Sequence, residues 1–276
     1  MTERHARQSF LGPHSEEILA HTEVTIVGLC GGGSHLAQLL AHIGVGRFNL
    51  VDFDRADVSN SNRMVGLDAA AAARKDRKVD VIRERILAIQ PGAQVAIFAA
   101  PWQEVSDALK FSDVIFGAVD SYRARDELER FARRFLIPYL DLGMDVHGDQ
   151  VPYTITGQVI LSVPEGPCLR CFGFITEHRL TEEAQRYGAA GGRPQVIWPN
   201  GTLASTAVGK FMQLVTPWSP ERPALYTEYD GNRLTLMPSR KLQALQGHSC
   251  PHYDDPLALG DVVWGQAHRP ALASTP

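Results

Sequence analysis

Apolar residues fall along this chain in two alternating textures. Short runs rich in β-branched residues stop at glycines or acids, and longer stretches carry leucine or isoleucine every three or four positions. Residues 23–29 (EVTIVGL) form the first short run, and its continuous apolar character predicts a strand buried on both faces. Residues 34–43 follow with Leu36, Leu39, Leu40 and Ile43 at helical spacing. A second strand is predicted over 47–52, ending on Asp52. Val81, Ile82, Ile86 and Ile89 share one face of a helix predicted over 78–89, which Pro91-Gly92 stops. Further strands are predicted at 95–98, 113–119 and 139–142, with a charged helix over 122–135. Strands alternating with helices predict an α/β fold, a Rossmann-like doubly wound and mostly parallel sheet.

Beyond about residue 150 the texture changes. Residues 154–163 (TITGQVILSV) alternate in character as a strand of an antiparallel C-terminal extension would. Then come Cys168-Leu169-Arg170-Cys171, a long irregular stretch holding Gly188, Gly191 and Gly192, and a helix near 203–214. Trp198-Pro199-Asn200 reads as the loop before that helix, with Asn200 as its N-cap. Two strand-like runs, 224–229 and 234–237, precede a polar, proline-rich tail. No internal repeat is present, and low complexity is confined to the alanine run 69–73. No linker separates the two halves, so a single domain is expected over 1–276.

Composition narrows the classes of function. Lys plus Arg total 27 against 31 for Asp plus Glu, a net charge of −4. That balance carries no basic footprint for bulk nucleic-acid or membrane-surface binding. Hydrophobic residues at 44% and charged residues at 21% exclude disorder as the dominant state. No run of about 18 apolar residues exists to cross a membrane, and the N-terminal MTERHARQSFLGPHSEE lacks the apolar core of a secretory signal. A cytoplasmic, enzyme-sized protein is expected. Its 4 cysteines are too few for a disulfide scaffold and need another role.

The densest chemistry lies at Gly28-Leu29-Cys30-Gly31-Gly32-Gly33-Ser34, between the first strand and the first helix. Glycines there admit positive φ and close backbone approach, and the following helix N-terminus offers amides to an anion. Asp52, at the end of the second strand, is placed to bind ribose hydroxyls. Cys30 replaces the second glycine of a G-x-G-x-x-G pattern, which weakens a dinucleotide reading and leaves an NAD oxidoreductase as a distant alternative. Asp54, Asn60-Ser61-Asn62-Arg63 and the basic stretch 74–78 ending in Lys78 follow, and Arg and Lys on neighbouring loops suit a triphosphate. Asp120, at the carboxyl end of the fourth strand, could hold Mg²⁺ against phosphate oxygens. Cys168 and Cys171 form half of a tetrahedral metal site. Cys250 with either His252 or His248 would complete a structural zinc site, and a redox pair or free thiols are the alternatives.

In this order, the glycine loop, Leu50-Val51-Asp52-Phe53-Asp54, Asn60-Ser61-Asn62-Arg63, Lys78, Asp120 with Arg125, and Cys168-x-x-Cys171 resemble the ThiF/MoeB/HesA family of adenylating enzymes, relatives of ubiquitin-activating enzymes. The likeness extends from about Arg7 to Cys250. It implies ATP and Mg²⁺ as cofactors beside Zn²⁺. Gly28, Gly31, Gly33, Asp52, Asp54, Asn60, Arg63 and Lys78 would then bind the nucleotide. Arg63, Lys78 and Asp120 would act in catalysis, joined by Arg7, which in the family reaches into the partner protomer's ATP site; that implies a homodimer. The metal ligands would be Cys168, Cys171, Cys250 and His252 for zinc, and Asp120 for magnesium. By the same resemblance, 1–150 is the nucleotide-binding half, 151–255 a zinc-stapled partner-binding half and 256–276 a tail.

The reaction implied is adenylation of the C-terminal glycine carboxylate of a ubiquitin-like, β-grasp protein. Strand 154–163 and the glycine-rich segment after it are candidate contacts for such a partner. Many relatives pass the acyl group to their own cysteine after the CxxC, but this chain has none between Phe172 and Ser249, so adenylation without a thioester step is expected. Alternatives are another peptide or small carboxylate, a tRNA-linked threonylcarbamoyl group, or a non-catalytic nucleotide-binding scaffold.

Overall fold

A computed structural model describes residues 3–148, 150–185, 194–253 and 259–261. Gly188, Gly191, Gly192 and most of the expected tail lie outside the described residues. The chain opens with a 3-10 helix, Glu3–Leu11, and helix α1 (Ser15–His21). It then runs β1 (Glu23–Val27), α2 (Gly31–Ile43), β2 (Arg47–Val51), α3 (Ala69–Arg74), α4 (Lys78–Ile89) and β3 (Gln94–Phe98). Helix α5 (Ser106–Leu109) precedes β4 (Val114–Gly117), α6 (Tyr122–Arg134), β5 (Tyr139–His147) and β6 (Thr154–Ser162). Helices α7 (Glu177–Gln185) and α8 (Ile197–Val215), strands β7 (Tyr226–Asp230) and β8 (Thr235–Pro238), and helix α9 (Lys241–Ala244) complete the described chain.

All eight strands join one sheet in the order β3-β2-β1-β4-β5-β6-β7-β8. The first five are parallel and the last three pair antiparallel, as the change of texture near residue 150 predicts. Parallel strands covered on both faces read as unbroken apolar runs, and β1 and β4 are such runs. On one face α2 and α8 cover the sheet with Leu36, Leu40, Leu203 and Phe211, all fully buried. On the other, Leu128 and Ala132 of α6 pack with Tyr139, Leu169 and Phe172. From β1 the chain steps outward to β2 and β3, then crosses to β4 on the opposite side of β1. A reversal of this kind opens a crevice beyond the carboxyl ends of β1 and β4, where open α/β sheets bind ligands.

Several boundaries differ from the sequence expectation, each for a local reason. Helix α2 starts at Gly31, so the second half of the glycine loop is itself the first helical turn. Strand β5 continues to His147 because β6 pairs with it from Tyr139 to the end. Helix α8 begins at Ile197, and Asn200 is not its N-cap: Pro199 sits in the first turn, where no intrahelical N–H is needed. Asn200 is buried inside that turn and donates from Nδ2 to the Val196 carbonyl at 2.9 Å. The alanine run forms α3, started by Asp68, whose side chain accepts from Ala71 N at 2.7 Å. Helix α7 lies within the stretch expected to be irregular and buries none of its residues.

Candidate functional site

The glycine loop is built for close approach. Gly28 has φ +88°, and a Cβ there would stand 2.5 Å from the Ala118 carbonyl oxygen of the neighbouring β4 exit. A Cβ on Gly33 would lie 1.7 Å from the Gly28 carbonyl oxygen, so the turn closes only on hydrogen. A Cβ on Gly31 would stand 2.6 Å from Asn200 Nδ2. Asp52 ties this loop to the end of β2. Its Oδ2 accepts from Leu29 N and its Oδ1 from Asp54 N, both at 2.8 Å. Burial lifts the Asp52 carboxyl above its ordinary pKa, against the pull of Lys78 and the two amides.

Lys78 is the first residue of α4, and its side chain is 7% exposed. Nζ donates to Asp54 Oδ2 at 2.7 Å. Burial works against the ammonium, but Asp52 and Asp54 outweigh it, so the pKa lies above the ordinary lysine value and the group is a cation at neutral pH. Asp120 is exposed at the exit of β4 and accepts from Gln195 Nε2 at 3.1 Å. Cys30 sits at the N-cap of α2. Burial pushes its thiol up while Lys78 and Arg63 pull it down, leaving a neutral thiol rather than a nucleophilic thiolate.

These groups border one cavity of about 330 Å³ at the crevice. Gly28, Cys30, Gly31, Asp52, Asp54, Lys78 and Asp120 all line it, so most of the residues singled out from sequence converge. Gly33, Asn60, Arg63 and Arg7 are not among its lining residues. Gly33 acts through the turn. Buried Asn60 accepts from Asp57 N at 3.0 Å and caps the short turn of residues 58–60. The Arg63 guanidinium donates to Ser59 O at 2.7 Å and to Asn62 Oδ1 at 3.0 Å, yet lies near enough to act on the Cys30 thiol. Its buried Nε has no hydrogen-bond partner among the described residues. Arg7 is exposed on the N-terminal 3-10 helix.

Of the other wall, sequence reading singled out only Arg125. Arg125, on the first turn of α6, donates to Asp141 Oδ2 at 2.6 Å, and Tyr139 donates to Asp141 Oδ1 at 3.1 Å. Burial pushes the Asp141 carboxyl up even with a guanidinium against it. Arg125, Leu142, Gly143 and Met144 line the cavity, which therefore runs from the glycine loop to β5. The sequence signal was Asp141, a charge inside an otherwise apolar strand.

Three of the four cysteines assemble with one histidine. Cys168, Cys171, Cys250 and His252 bring one donor atom each within 4.8 Å of one another. Cys168 and Cys171 sulfurs are 3.5 Å apart, Cys171 and Cys250 3.6 Å, and His252 Nδ1 lies 3.4, 3.4 and 3.9 Å from the three sulfurs. A tetrahedral zinc with ordinary bond lengths needs S···S edges of about 3.8 Å and S···N edges of about 3.5 Å, so the donor set has the size and chemistry for that ion. His248 is not in the cluster, and the Tyr253 ring instead faces the Arg133 guanidinium at 5.3 Å.

One face of α6 grips the CxxC loop. Glu129 accepts the Leu169 amide with both carboxylate oxygens, at 3.0 and 3.2 Å, and burial pushes its carboxyl up to about 7. Arg170 donates two bonds to Asp126 at 2.7 and 2.8 Å, and Arg133 donates to Pro167 O at 3.0 Å. The helix that presents Arg125 to the cavity thus also holds the CxxC loop.

Comparison with known proteins matches residues 2–252 to the ThiF family model. A tRNA threonylcarbamoyladenosine dehydratase of Escherichia coli is 30% identical, over 48% of this chain and 50% of that protein. A SAMP-activating enzyme E1 of Haloferax volcanii is 30% identical, over 61% of this chain and 59% of that protein. The chain thus spans only about half to three-fifths of these curated relatives. Among solved structures, E. coli MccB with ATP superposes with a TM-score of 0.69 at 19% identity, over 87% of this chain and 71% of that one. At that identity the likeness is one of fold. Among the described residues, no helix is long and apolar enough to cross a membrane.

Proposed function

Because this chain belongs to the ThiF family, we propose that its cavity binds ATP and transfers the adenylyl group to a C-terminal carboxylate of a protein or peptide partner. The observation that carries this reading is the convergence of a phosphate-type glycine loop, Asp52, a buried lysine cation and Asp120 on one cavity. The names of relatives support it: a SAMP-activating E1 and a sulfur carrier protein adenylyltransferase are among them.

In the reaction, a carboxylate oxygen of the partner bonds to the α-phosphorus. The bond from that phosphorus to the bridging oxygen breaks, and pyrophosphate leaves with the electron pair. A carboxylate is already a nucleophile, so no general base is needed. Two anions must be brought together and negative charge must be stabilised on the leaving group, a task of positioning and electrostatics. Asp52 would accept from ribose hydroxyls, the α2 N-terminus would face phosphate, and Lys78 would put positive charge beside the leaving oxygens. Arg63 borders the same field. Mg²⁺ bound through Asp120 would supply further positive charge on the phosphate oxygens. Arg7, exposed and outside its own cavity, fits a role in a second protomer's site, which makes the active form a homodimer. Cys30 is a neutral thiol and no cysteine lies in the segment between Phe172 and Ser249, so the adenylate would be consumed by a nucleophile from elsewhere. Zinc bound by Cys168, Cys171, Cys250 and His252 would be structural, since four protein ligands leave no open position.

The partner's tail would enter along β5, where Leu142, Gly143 and Met144 border the cavity. A ubiquitin-like protein ending in glycine is the substrate class proposed. The dehydratase relatives raise a tRNA-linked substrate as the rival, and the net charge of −4 counts against it. ATP–pyrophosphate exchange with a panel of Gly-ending carrier proteins, peptides and tRNA tests this. Exchange stimulated by a carboxyl-terminal partner and lost in Asp120→Ala is expected; nucleotide binding with no exchange for any partner would leave a scaffold.

A further inference from the structure

Asp120 does not stand alone at the pocket mouth. Gln195 contacts it directly, and Glu183 holds the three residues that follow it. Glu183, on α7, places its carboxylate on the N-terminus of α6: Oε1 accepts from Tyr122 N at 2.9 Å, and Oε2 accepts from Arg123 N at 2.9 Å and from Ser121 Oγ at 3.2 Å. These three donors follow Asp120 directly in the chain. Gln195, just ahead of α8, donates from Nε2 to Asp120 Oδ1 at 3.1 Å, and its own carbonyl accepts from Asn62 Nδ2 at 3.1 Å. Gln195 therefore bridges the loop of residues 60–63 to the exit of β4 across the cavity it lines.

Helix α7 fully buries none of its residues; Leu180 packs partly buried against the core on that face, and the other contacts are Glu183 on α6 and the Arg179 guanidinium between Tyr122 and Phe174 at 5.2 and 5.6 Å. A carboxylate on the first amides of a helix satisfies donors the helix cannot, and it favours the N-terminal end of the helix dipole. Here that fixes the β4–α6 corner. An exposed aspartate on an unbraced corner would sample several rotamers, and a cation would bear the cost of ordering it. A bond from Gln195 to one carboxylate oxygen fixes that side chain and leaves Oδ2 for the ion. Partners of this kind orient metal-binding carboxylates, and losing one typically weakens metal binding by about 10- to 100-fold.

We propose that Gln195 and Glu183 are positioning residues for Asp120: Gln195 orients the carboxylate, and Glu183 anchors the corner that carries it, so that the pocket takes up Mg²⁺ with its nucleotide. This rests on the adenylylation reading above. It adds that Glu183 and Gln195, neither of them a ligand, support the cation site.

The test is binding of a fluorescent ATP analogue to the full chain at zero and increasing Mg²⁺, with thermal unfolding measured alongside. In Gln195→Ala the Mg²⁺ concentration at half effect should rise about tenfold, with Mg²⁺-free nucleotide affinity and the unfolding midpoint unchanged. Glu183→Gln, which keeps shape and loses the charge, should give a smaller rise. In an Asp120→Asn background Gln195→Ala should change nothing further, because the group it orients is gone. If Asp120→Asn abolishes the Mg²⁺ effect while Gln195→Ala and Glu183→Gln leave the Mg²⁺ concentration at half effect where it was, the positioning role is wrong and the function stands. If the wild-type chain binds no nucleotide at all, the adenylylation reading itself fails.

Discussion

Lys78 donates to Asp54 Oδ2 at 2.7 Å from a side chain only 7% exposed, while Asp54 is 52% exposed. A buried cation thus rests on a carboxylate that can turn to solvent. When a phosphate arrives, the ammonium can exchange Asp54 for the ligand without leaving its pocket. Lys78→Met should lower nucleotide affinity by about 10- to 100-fold, the range for a hydrogen bond to a charged group. Asp54→Asn should lower it far less. Calorimetric titration with ATP separates the two, and equal losses in both variants would show that the ion pair, rather than the cation, is the binding element.

The metal cluster should behave as a fold element. Purified protein should carry one zinc per chain, and Cys168→Ser or His252→Ala should lose it. Because α6 holds the CxxC loop through Asp126, Glu129 and Arg133, chelation should lower the unfolding midpoint by several degrees and loosen α6. Elemental analysis with hydrogen exchange over residues 122–134 checks this. Full metal retention in Cys168→Ser would contradict it.

Arg125 and Asp141 form a buried ion pair whose two members come from α6 and β5. Asp141→Ala leaves a guanidinium uncompensated, which costs about 3–5 kcal/mol by precedent for broken buried pairs. Urea denaturation should register that loss. A change within about 0.5 kcal/mol would mean that water already solvates the pair.

Lys210 sits in the core on α8, donates to the Ala224 carbonyl, and burial lowers its pKa to about 8. A lysine depressed in the fold disfavours folding most where both states hold the proton and the fold buries the charge, and the penalty shrinks where the unfolded chain is protonated and the folded chain is not. Stability attributable to this group should therefore rise from about pH 8 to about pH 10.5 and be flat below. Lys210→Met should exceed wild type in stability most clearly at pH 7, and the advantage should shrink as pH rises through that window. An advantage independent of pH would show that Lys210 is neutral or well solvated in the fold.

How much of this could be read in advance follows from range. Strands β1, β2 and β4 and helix α4 announce themselves because their apolar residues are contiguous or periodic, and the glycine loop because its φ and close contacts allow little else. The second half of β5 did not, since Gly143 and Asp145 break the apolar run and only pairing with β6 extends it. Pro199 hid the start of α8, and α7 turns only Leu180 partly into the core, too little to leave a periodic trace. Within the site, Asp52, Lys78 and Asp120 were legible as charges at element ends. Gln195 on Asp120 and Glu183 on α6 were not, because contacts across 75 and 61 positions leave no local signature. The choice of His252 over His248 likewise depended on how the last described residues fold back on the CxxC loop.

Which bond of ATP is broken tests the central claim most directly. Wild-type protein is incubated with Mg²⁺, ATP labelled at either the α- or the γ-phosphate, and a small carrier protein ending in glycine. Label from the α-phosphate should appear on the carrier as an acyl-adenylate, label from the γ-phosphate should leave as pyrophosphate, and both should vanish in Lys78→Met and Asp120→Ala. Release of ADP and inorganic phosphate, with no label on any carboxyl-terminal partner, would contradict adenylyl transfer at this cavity.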